Sequence, residues 1–434
     1  MTITVVVDFS SKADWHNHKR GNRRNLNQTS QKLDSFNIRS DPGLAGPPLE
    51  IVHLYNDQWP TGITVAKSGR RFSNYPAGLD ANNTNNGHNQ KYQVAELLGN
   101  GTETPYPNLD INSPPGGAIN YSTTRPTGAN HQTHLIGVQS VVLDPLDRLW
   151  ILDTGRALTD DGTLVPASPG GPKLLGVDIT LHQVIQTIVF PPTVAFPDSY
   201  LNDVRFDLRA ASTAAGKGVA YITDSSSEGR NGIIVVDLGT GESWRHLDGI
   251  AETRAERGFV PYVWGQPLYY LPGPGRPLTT VPLGSDGIAL SVDGEELYFG
   301  PVGGRGLYSV PTARLRERGP DSEVLAQAAV VNRGERGLSD GFETDTNGFV
   351  YAGNMEQNAI GFYNPQNASV SVWVRDPRIS WVDTMAVADD GYLYFTDNQL
   401  AFSSAFYPGT DRRTRPFVLF RAKLPANGTR VSLL

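Results

Sequence analysis

The sequence predicts an all-β fold, a six-bladed β-propeller with long inter-strand loops. Three observations predict it. One phrase recurs six times along the 434 residues. Each copy alternates apolar and polar positions at the two-residue period of a strand. Gly (46) and Pro (31) are abundant while charged residues make up only 19%, a composition suited to many short strands joined by turns.

In chain order the copies begin at Gln58 (QWPTGITVAKSGRRFSNYP), Gly137 (GVQSVVLDPLDRLWILDTG), Tyr200 (YLNDVRFDLRAASTAAGKGVAYITDSS), Gly284 (GSDGIALSVDGEELYFGP), Leu338 (LSDGFETDTNGFVYAGN) and Trp381 (WVDTMAVADDGYLYFTDN). Each opens on small or polar residues, runs into an alternating strand, turns, and continues as a second strand. Val292-Asp293-Gly294, Thr346-Asn347-Gly348 and Asp389-Asp390-Gly391 are hairpin signals, because Gly or Asn adopts positive φ at little cost. Further strands are expected over 174–189, 232–237, 306–310, 360–364 and 370–374, and short helices over Val94–Leu98 and Thr312–Arg318. One hairpin with one or two such strands makes a four-stranded blade. The spacing of roughly 40–85 residues is uneven, so some loops carry insertions, the longest over 72–132 and 249–283. Ring closure needs a terminal strand on the last blade, for which Glu50–Leu54 and Phe417–Lys423 are candidates. Residues 1–49 are then an N-terminal arm and 50–434 a single propeller domain.

A net charge of −7 argues against nucleic acid or an anionic membrane as partner. No apolar run is long enough for a membrane span. The opening MTITVVVDFSS lacks the basic flank and small-residue cleavage site of a signal peptide. There is no cysteine, which excludes disulfides and thiol catalysis. Asn27, Asn82, Asn100, Asn120, Asn367 and Asn427 each begin an Asn-x-Ser/Thr sequon, favouring a secreted or secretory-pathway protein. P-loop, HExxH and GxSxG signatures are missing, and no Gly-rich segment has the strand–turn–helix context of a dinucleotide site. No redox cofactor is expected.

In a propeller the innermost strands line a central channel, so their opening residues converge from distant parts of the chain. Those residues are Thr61, Gln139 with Ser140, Asn202 with Asp203, Asp286, Asp340, and Asp383 with Thr384. Crowded acids raise one another's pKa unless a cation intervenes. Two outcomes are open: a Ca²⁺ on oxygen donors such as Asp286, Asp340 and Asn202, or one acid kept protonated as a hydrogen-bond donor or general acid. An Asp beside Gly also caps hairpins, a purely structural use. The loop YVWGQPLYYLPGPGRP supplies Tyr262, Trp264, Tyr269 and Tyr270 as a packing plug or an apolar cap. His131 and His134 precede the second repeat, and Arg305 follows the fourth.

These repeats resemble the yellow/major royal jelly protein family. The matching phrases are QWPTGITVAKSGRRFSNYP, DRLWILDTGR, AYITDSSSEGRNGIIVVDLGTGESWR, GSDGIALSVDGEELYFGPVGGRGLYSVPTARLR and DGYLYFTDNQL, spread from Glu50 to Lys423. The resemblance implies a six-bladed propeller, secretion and N-glycosylation. Insect members look like dopachrome-converting enzymes, biogenic-amine binders and nutritive proteins. The cysteines typical of those members have no counterpart here, so the chain looks more like the fungal branch. That branch includes hetero-Diels–Alderases of tropolone sesquiterpenoid biosynthesis. What this implies is a cyclase that joins a quinone methide to an apolar terpene. Asp340, Asp286, Asp203 and His134 would be its catalytic residues. Thr61, Gln139, Asn202, Trp264, Tyr269, Trp381 and Asp383 would hold a small-molecule substrate. The alternatives are a binder of small aromatic amines, a dopachrome-type isomerase, or a metal-dependent lactonase like the gluconolactonase-type propellers. Thr61 stands after the Trp-Pro of QWPTG, where those propellers are expected to carry a glutamate.

Overall fold

Six four-stranded antiparallel sheets follow one another along the chain, each built outward from a buried inner strand. The computed structural model describes residues 39–272 and 276–434. Asn27 and most of the expected N-terminal arm lie outside them. The inner strands are Ile63–Val65, Val138–Leu143, Leu201–Asp207, Ser285–Leu290, Phe342–Thr344 and Val382–Val387, which we number as blades 1 to 6. Each repeated phrase therefore supplies the first two strands of a blade. The glycines of the three foreseen hairpin turns have positive φ: Gly294 +71°, Gly348 +82° and Gly391 +82°. In blade 2 the chain solves the same turn with Asp147 at φ +64°.

The ring closes by a shared sheet. Glu50–Tyr55 pairs antiparallel with Phe417–Lys423, so the earliest strand becomes the outermost strand of blade 6. Both candidate closing segments are thus used, one against the other. On the inner side the Thr396 hydroxyl donates to the Thr61 carbonyl at 2.6 Å and the Trp59 indole donates to the Asn398 carbonyl at 2.7 Å, tying blade 6 to blade 1.

Burial follows position in the blade. Leu201–Asp207 is buried at every residue, because blades press on both of its faces. Gln183–Val189, the outer strand of blade 2, is mostly exposed. Adjoining blades interlock through aromatic rings, as where Trp150 stacks on Phe206 at 5.2 Å and Tyr298 meets Tyr363 at 6.1 Å. Burying such a ring contributes up to about 1.5–3 kcal/mol. Of the two short helices expected, one is corrected and one is borne out. Val94–Leu97 is a strand of blade 1, paired to Arg71–Asn74, because its apolar residues pack in the sheet. Thr312–Arg316 is a helix, followed by a second one at Ser322–Ala328. Among the described residues no helix is long and apolar enough to cross a membrane.

Candidate functional site: a ring of bulged carboxylates

In four of the six blades the side chains at the centre of the ring belong to residues that the strand ladder skips. In blade 3 the register passes from Leu201 to Val204, leaving out Asn202 and Asp203. In blade 4 it skips Asp286, in blade 6 Asp383 and Thr384, and in blade 2 Gln139. A bulge frees a residue from pairing and re-aims its side chain. Four blades thus use the same irregularity to turn polar groups toward a common centre.

The Ser-Asp-Gly phrase has a steric reason. A Cβ on Gly287 would lie 2.3 Å from the Asp340 carbonyl oxygen, and a Cβ on Gly341 would lie 2.5 Å from the Asp383 carbonyl oxygen. Only glycine allows the inner strands of blades 4, 5 and 6 to approach this closely. The glycines bring the strands together and the aspartates before them arrive as neighbours.

Asp286, Asp340, Asp383 and Asp203 are each no more than 5% exposed. The Asn202 amide donates to Asp286, and the Trp381 indole N–H donates to Asp340 at 2.7 Å. The Asn398 amide donates to Asp383 at 2.6 Å, and the Ser140 hydroxyl donates to Asp203 at 3.1 Å. Burial pushes Asp286 and Asp383 well above the usual carboxylate range, and the charge of Asp340 adds to both shifts. Asp340 is also raised by burial, but its hydrogen bonds with Asp286 and Trp381 and the positive charge of Arg336 oppose the rise. All three shifts run upward, so the pair holds a proton more tightly than free carboxyls do, and Asp340 carries the stronger opposition to that rise.

Two arginines frame this pair. Arg205 reaches from blade 3 to blade 5, donating to Asp203 at 2.8 Å and to the Phe342 carbonyl, with Glu343 at 3.5 Å. It spans the channel beside the acids. Arg336 is buried and donates to the carbonyls of Pro301, Gly304 and Gly337. Desolvation pushes its guanidinium down to about 10. Arg205, Glu343 and Arg336 were not foreseen. Arg205 follows Asp203 by two residues, which on a strand means the same face, and that alternation was the available signal.

Of the two outcomes left open for these acids, the donors as arranged do not form the Ca²⁺ set of Asp286, Asp340 and Asn202. Asn202 turns its N–H₂, not its oxygen, toward Asp286. Among the described residues no set of three or more His, Asp or Glu side chains is arranged to hold a metal ion.

The remaining predicted residues fall as follows. Thr61 and Gln139 are in the ring: the Thr61 hydroxyl donates to the Gln139 carbonyl, and the Gln139 side chain accepts from Tyr200 at 3.0 Å. Trp381 is fully buried against the acids and meets Phe406 at 6.4 Å. The aromatic loop packs over Phe406 as an apolar cap or a packing plug would, with Tyr270 against that ring at 5.8 Å. Its Leu271 N–H donates to Ala405, and the Tyr407 N–H donates back to Tyr269, locking two loops together. Trp264 and Tyr269, however, line clefts on this loop rather than the acid ring. Trp264 has φ +48° in a tight turn, which leaves it 52% exposed. His134 bonds the neighbouring Thr133 hydroxyl, and His131 bonds the Pro169 carbonyl. Arg305 is paired with Glu356 at 2.6 Å.

The sequence profile of the major royal jelly proteins matches residues 136–425. No curated protein sequence matches this chain. Among solved structures, a luciferin-regenerating enzyme is 11% identical, covers 89% of this chain and 100% of its own, and superposes with a TM-score of 0.51. A calcium-binding protein, regucalcin, from Agrobacterium tumefaciens is 13% identical over 90% of this chain and 97% of its own, with a TM-score of 0.48. A gluconolactonase from Xanthomonas campestris is 10% identical over 89% and 99%, with a TM-score of 0.44. Of these, the luciferin-regenerating enzyme bears on the fold, and on the fold alone.

Proposed function

Because this chain belongs to the major royal jelly protein family, we propose that it uses the central acid ring of its propeller as an acid-assisted cyclase for small apolar molecules. The finer reading is a hetero-Diels–Alder cycloaddition between a tropolone-type quinone methide and an apolar terpene. The observation that carries it is the Asp286–Asp340 pair: two buried carboxyls, both raised above the usual range by burial, with the Trp381 indole donating to Asp340.

On this reading the cap segments part to admit the reactants. Asp286 gives its proton to a benzylic-type hydroxyl of the precursor, which leaves as water. Asp340 takes the proton released as the quinone methide forms. The cycloaddition then makes one C–C and one C–O bond with no redox change. What the protein supplies is exclusion of water, near-attack geometry and one hydrogen bond to the developing oxygen. A positioned general acid contributes on the order of 10²–10⁴ in rate.

The test is incubation with both precursors. An altered product ratio or a single stereoisomer supports the reading, provided Asp286→Asn abolishes the change. A product mixture identical to that without protein removes it.

We also assign the chain to the secretory pathway. Asn82, Asn100, Asn120, Asn367 and Asn427 are all exposed, as glycan acceptors must be. Material from a eukaryotic secretory host should gain electrophoretic mobility after glycosidase. Unchanged mobility argues against the assignment.

A further inference from the structure

Blades 2, 3 and 6 end their second strand with the same residue: Asp153, Asp224 and Asp397. Each carboxylate clamps the chain as it enters the inner strand. Asp153 accepts from the N–H groups of Ile136 and Gly137, Asp224 from Tyr200, and Asp397 from Ser380 and Trp381. In blade 2 a buried cation completes the site, Lys173 Nζ at 2.8 Å. In blade 3 the cation is Arg245, at 2.9 Å, reaching over Gly232. Lys173 lies directly across the ladder from Asp153. The residue directly across from Asp397 is Val418. Blade 6 keeps the carboxylate and omits its cation.

That carboxyl is only 4% exposed but borders a cleft. Asp397 and Val418 line a cleft of about 430 Å³ whose other walls include Trp264, Phe402 and Phe420. The same cleft is lined by Arg412. Arg412 lies over the Phe402 ring at 5.4 Å and donates to the Tyr407 carbonyl at 3.3 Å, and among the described residues no carboxylate pairs with it. The other cleft arginine, Arg378, is already bound to Asp376 at 2.7 Å. One cleft therefore holds a carboxyl without a cation and a guanidinium without an anion, with aromatic faces beside them. The carboxyl is buried and meets only neutral donors, from Ser380 N–H and hydroxyl and Trp381 N–H, while the guanidinium is exposed, so the cleft offers one place for each charge of a zwitterion.

We propose that this cleft binds a small zwitterion, an α-amino acid with an apolar side chain. Its ammonium takes the place against Asp397 that the Lys173 ammonium takes against Asp153. Its carboxylate meets the planar Arg412 guanidinium, which suits two-oxygen recognition. Its side chain lies against Trp264, Phe402 and Phe420. The volume is at the small end of ligand sites and suits a molecule of amino-acid size. The site adjoins the acid ring through Trp381, whose backbone N–H donates to Asp397 and whose indole donates to Asp340, but it does not depend on the cyclase reading.

Isothermal calorimetry at pH 8 tests the proposal, with L-tryptophan as probe and tryptamine and indole-3-propionate as single-charge controls. Saturable binding of L-tryptophan is expected, with both controls at least tenfold weaker. Asp397→Asn and Val418→Lys should each weaken binding at least tenfold. The second variant installs the cation of blade 2 and should keep or raise Tm, which shows the loss is not misfolding. Asp286→Asn should leave binding unchanged. No heat with millimolar L-tryptophan overturns the proposal. So does tryptamine binding as tightly as L-tryptophan, and so does binding lost in Asp286→Asn but kept in Asp397→Asn.

Discussion

Two sets of aspartates sit in the same repeated phrase and behave as opposites. The second-strand set, Asp153, Asp224 and Asp397, clamps backbone N–H groups and, in two blades of three, a buried cation. The inner-strand set, Asp203, Asp286, Asp340 and Asp383, is lifted out of the ladder or sits at its edge; Asp203 meets Arg205, while Asp286, Asp340 and Asp383 face one another. Residue type and burial are the same. What differs is the partner: backbone donors and a cation fix Asp153 and Asp224 in place, whereas the charge of Asp340 adds to burial in raising Asp286 and Asp383.

The sharpest way to break this contrast is to neutralise one member of each set. Asp286→Asn keeps the shape and the Asn202 contact but carries no acidic proton. Turnover should fall by about 10²–10⁴, while Tm holds or rises because a buried ionisable pair has been relieved. Loss of both activity and fold in that variant would place Asp286 with the structural set. In the second-strand set the response reverses. Lys173→Met leaves Asp153 buried without its cation and should cost about 3–5 kcal/mol in denaturant unfolding. A cost near zero would show that the backbone donors alone satisfy Asp153.

How much of this was legible in the sequence follows the same division. The six hairpins were, because period-2 alternation and Gly-bearing turns are local properties. The converging positions Thr61, Gln139, Asn202, Asp286, Asp340 and Asp383 were, because topology alone brings inner-strand starts together. The bulges were not. An extra unpaired residue leaves no mark until the partner strand is known, and it is the bulge that aims Asn202 and Asp383. Arg205 was missed because its partners, Asp203 and the Phe342 carbonyl, come from two different blades. Trp264 and Tyr269 were placed at the acids because an aromatic loop near a channel reads as its lid. The turn at Trp264 instead presents that ring to an outer cleft.

Asp397 lies between the two sets, since it clamps the backbone but lacks a cation. Burial pushes it up to about 7, and its hydrogen bonds from Ser380 and Trp381 only partly oppose the rise. Arg378 and Arg412 are the charged groups on its cleft, and neither contributes to the shift. The folded state therefore binds a proton that the unfolded chain, with an aspartate near pH 4, releases. Stability from this group is present below pH 4 and is lost as pH rises toward 7, by about 1 kcal/mol per unit. Asp397→Asn should flatten Tm against pH across that window. An unchanged slope would mean that Asp397 is ionised and satisfied, as Asp153 is.

The smallest expected effect has the opposite sign and comes from the rim of blade 3. Glu323 accepts from the Leu247 and Asp248 N–H groups, the Gln327 amide and the His246 ring. Burial raises its pKa, but these four donors outweigh it and hold the carboxyl down at about 2. Here the unfolded chain binds the extra proton, so the stability is full above the ordinary glutamate pKa and is lost as pH falls toward 2. The side chain is 36% exposed, so solvent screens the interaction. Glu323→Gln should then cost no more than about 1 kcal/mol at neutral pH and nothing near pH 2. Measured together with Asp397→Asn, the two unfolding curves should tilt in opposite directions against pH. Parallel tilts would mean that donor count, rather than burial, fails to separate the clamped carboxylates from the proton-holding ones.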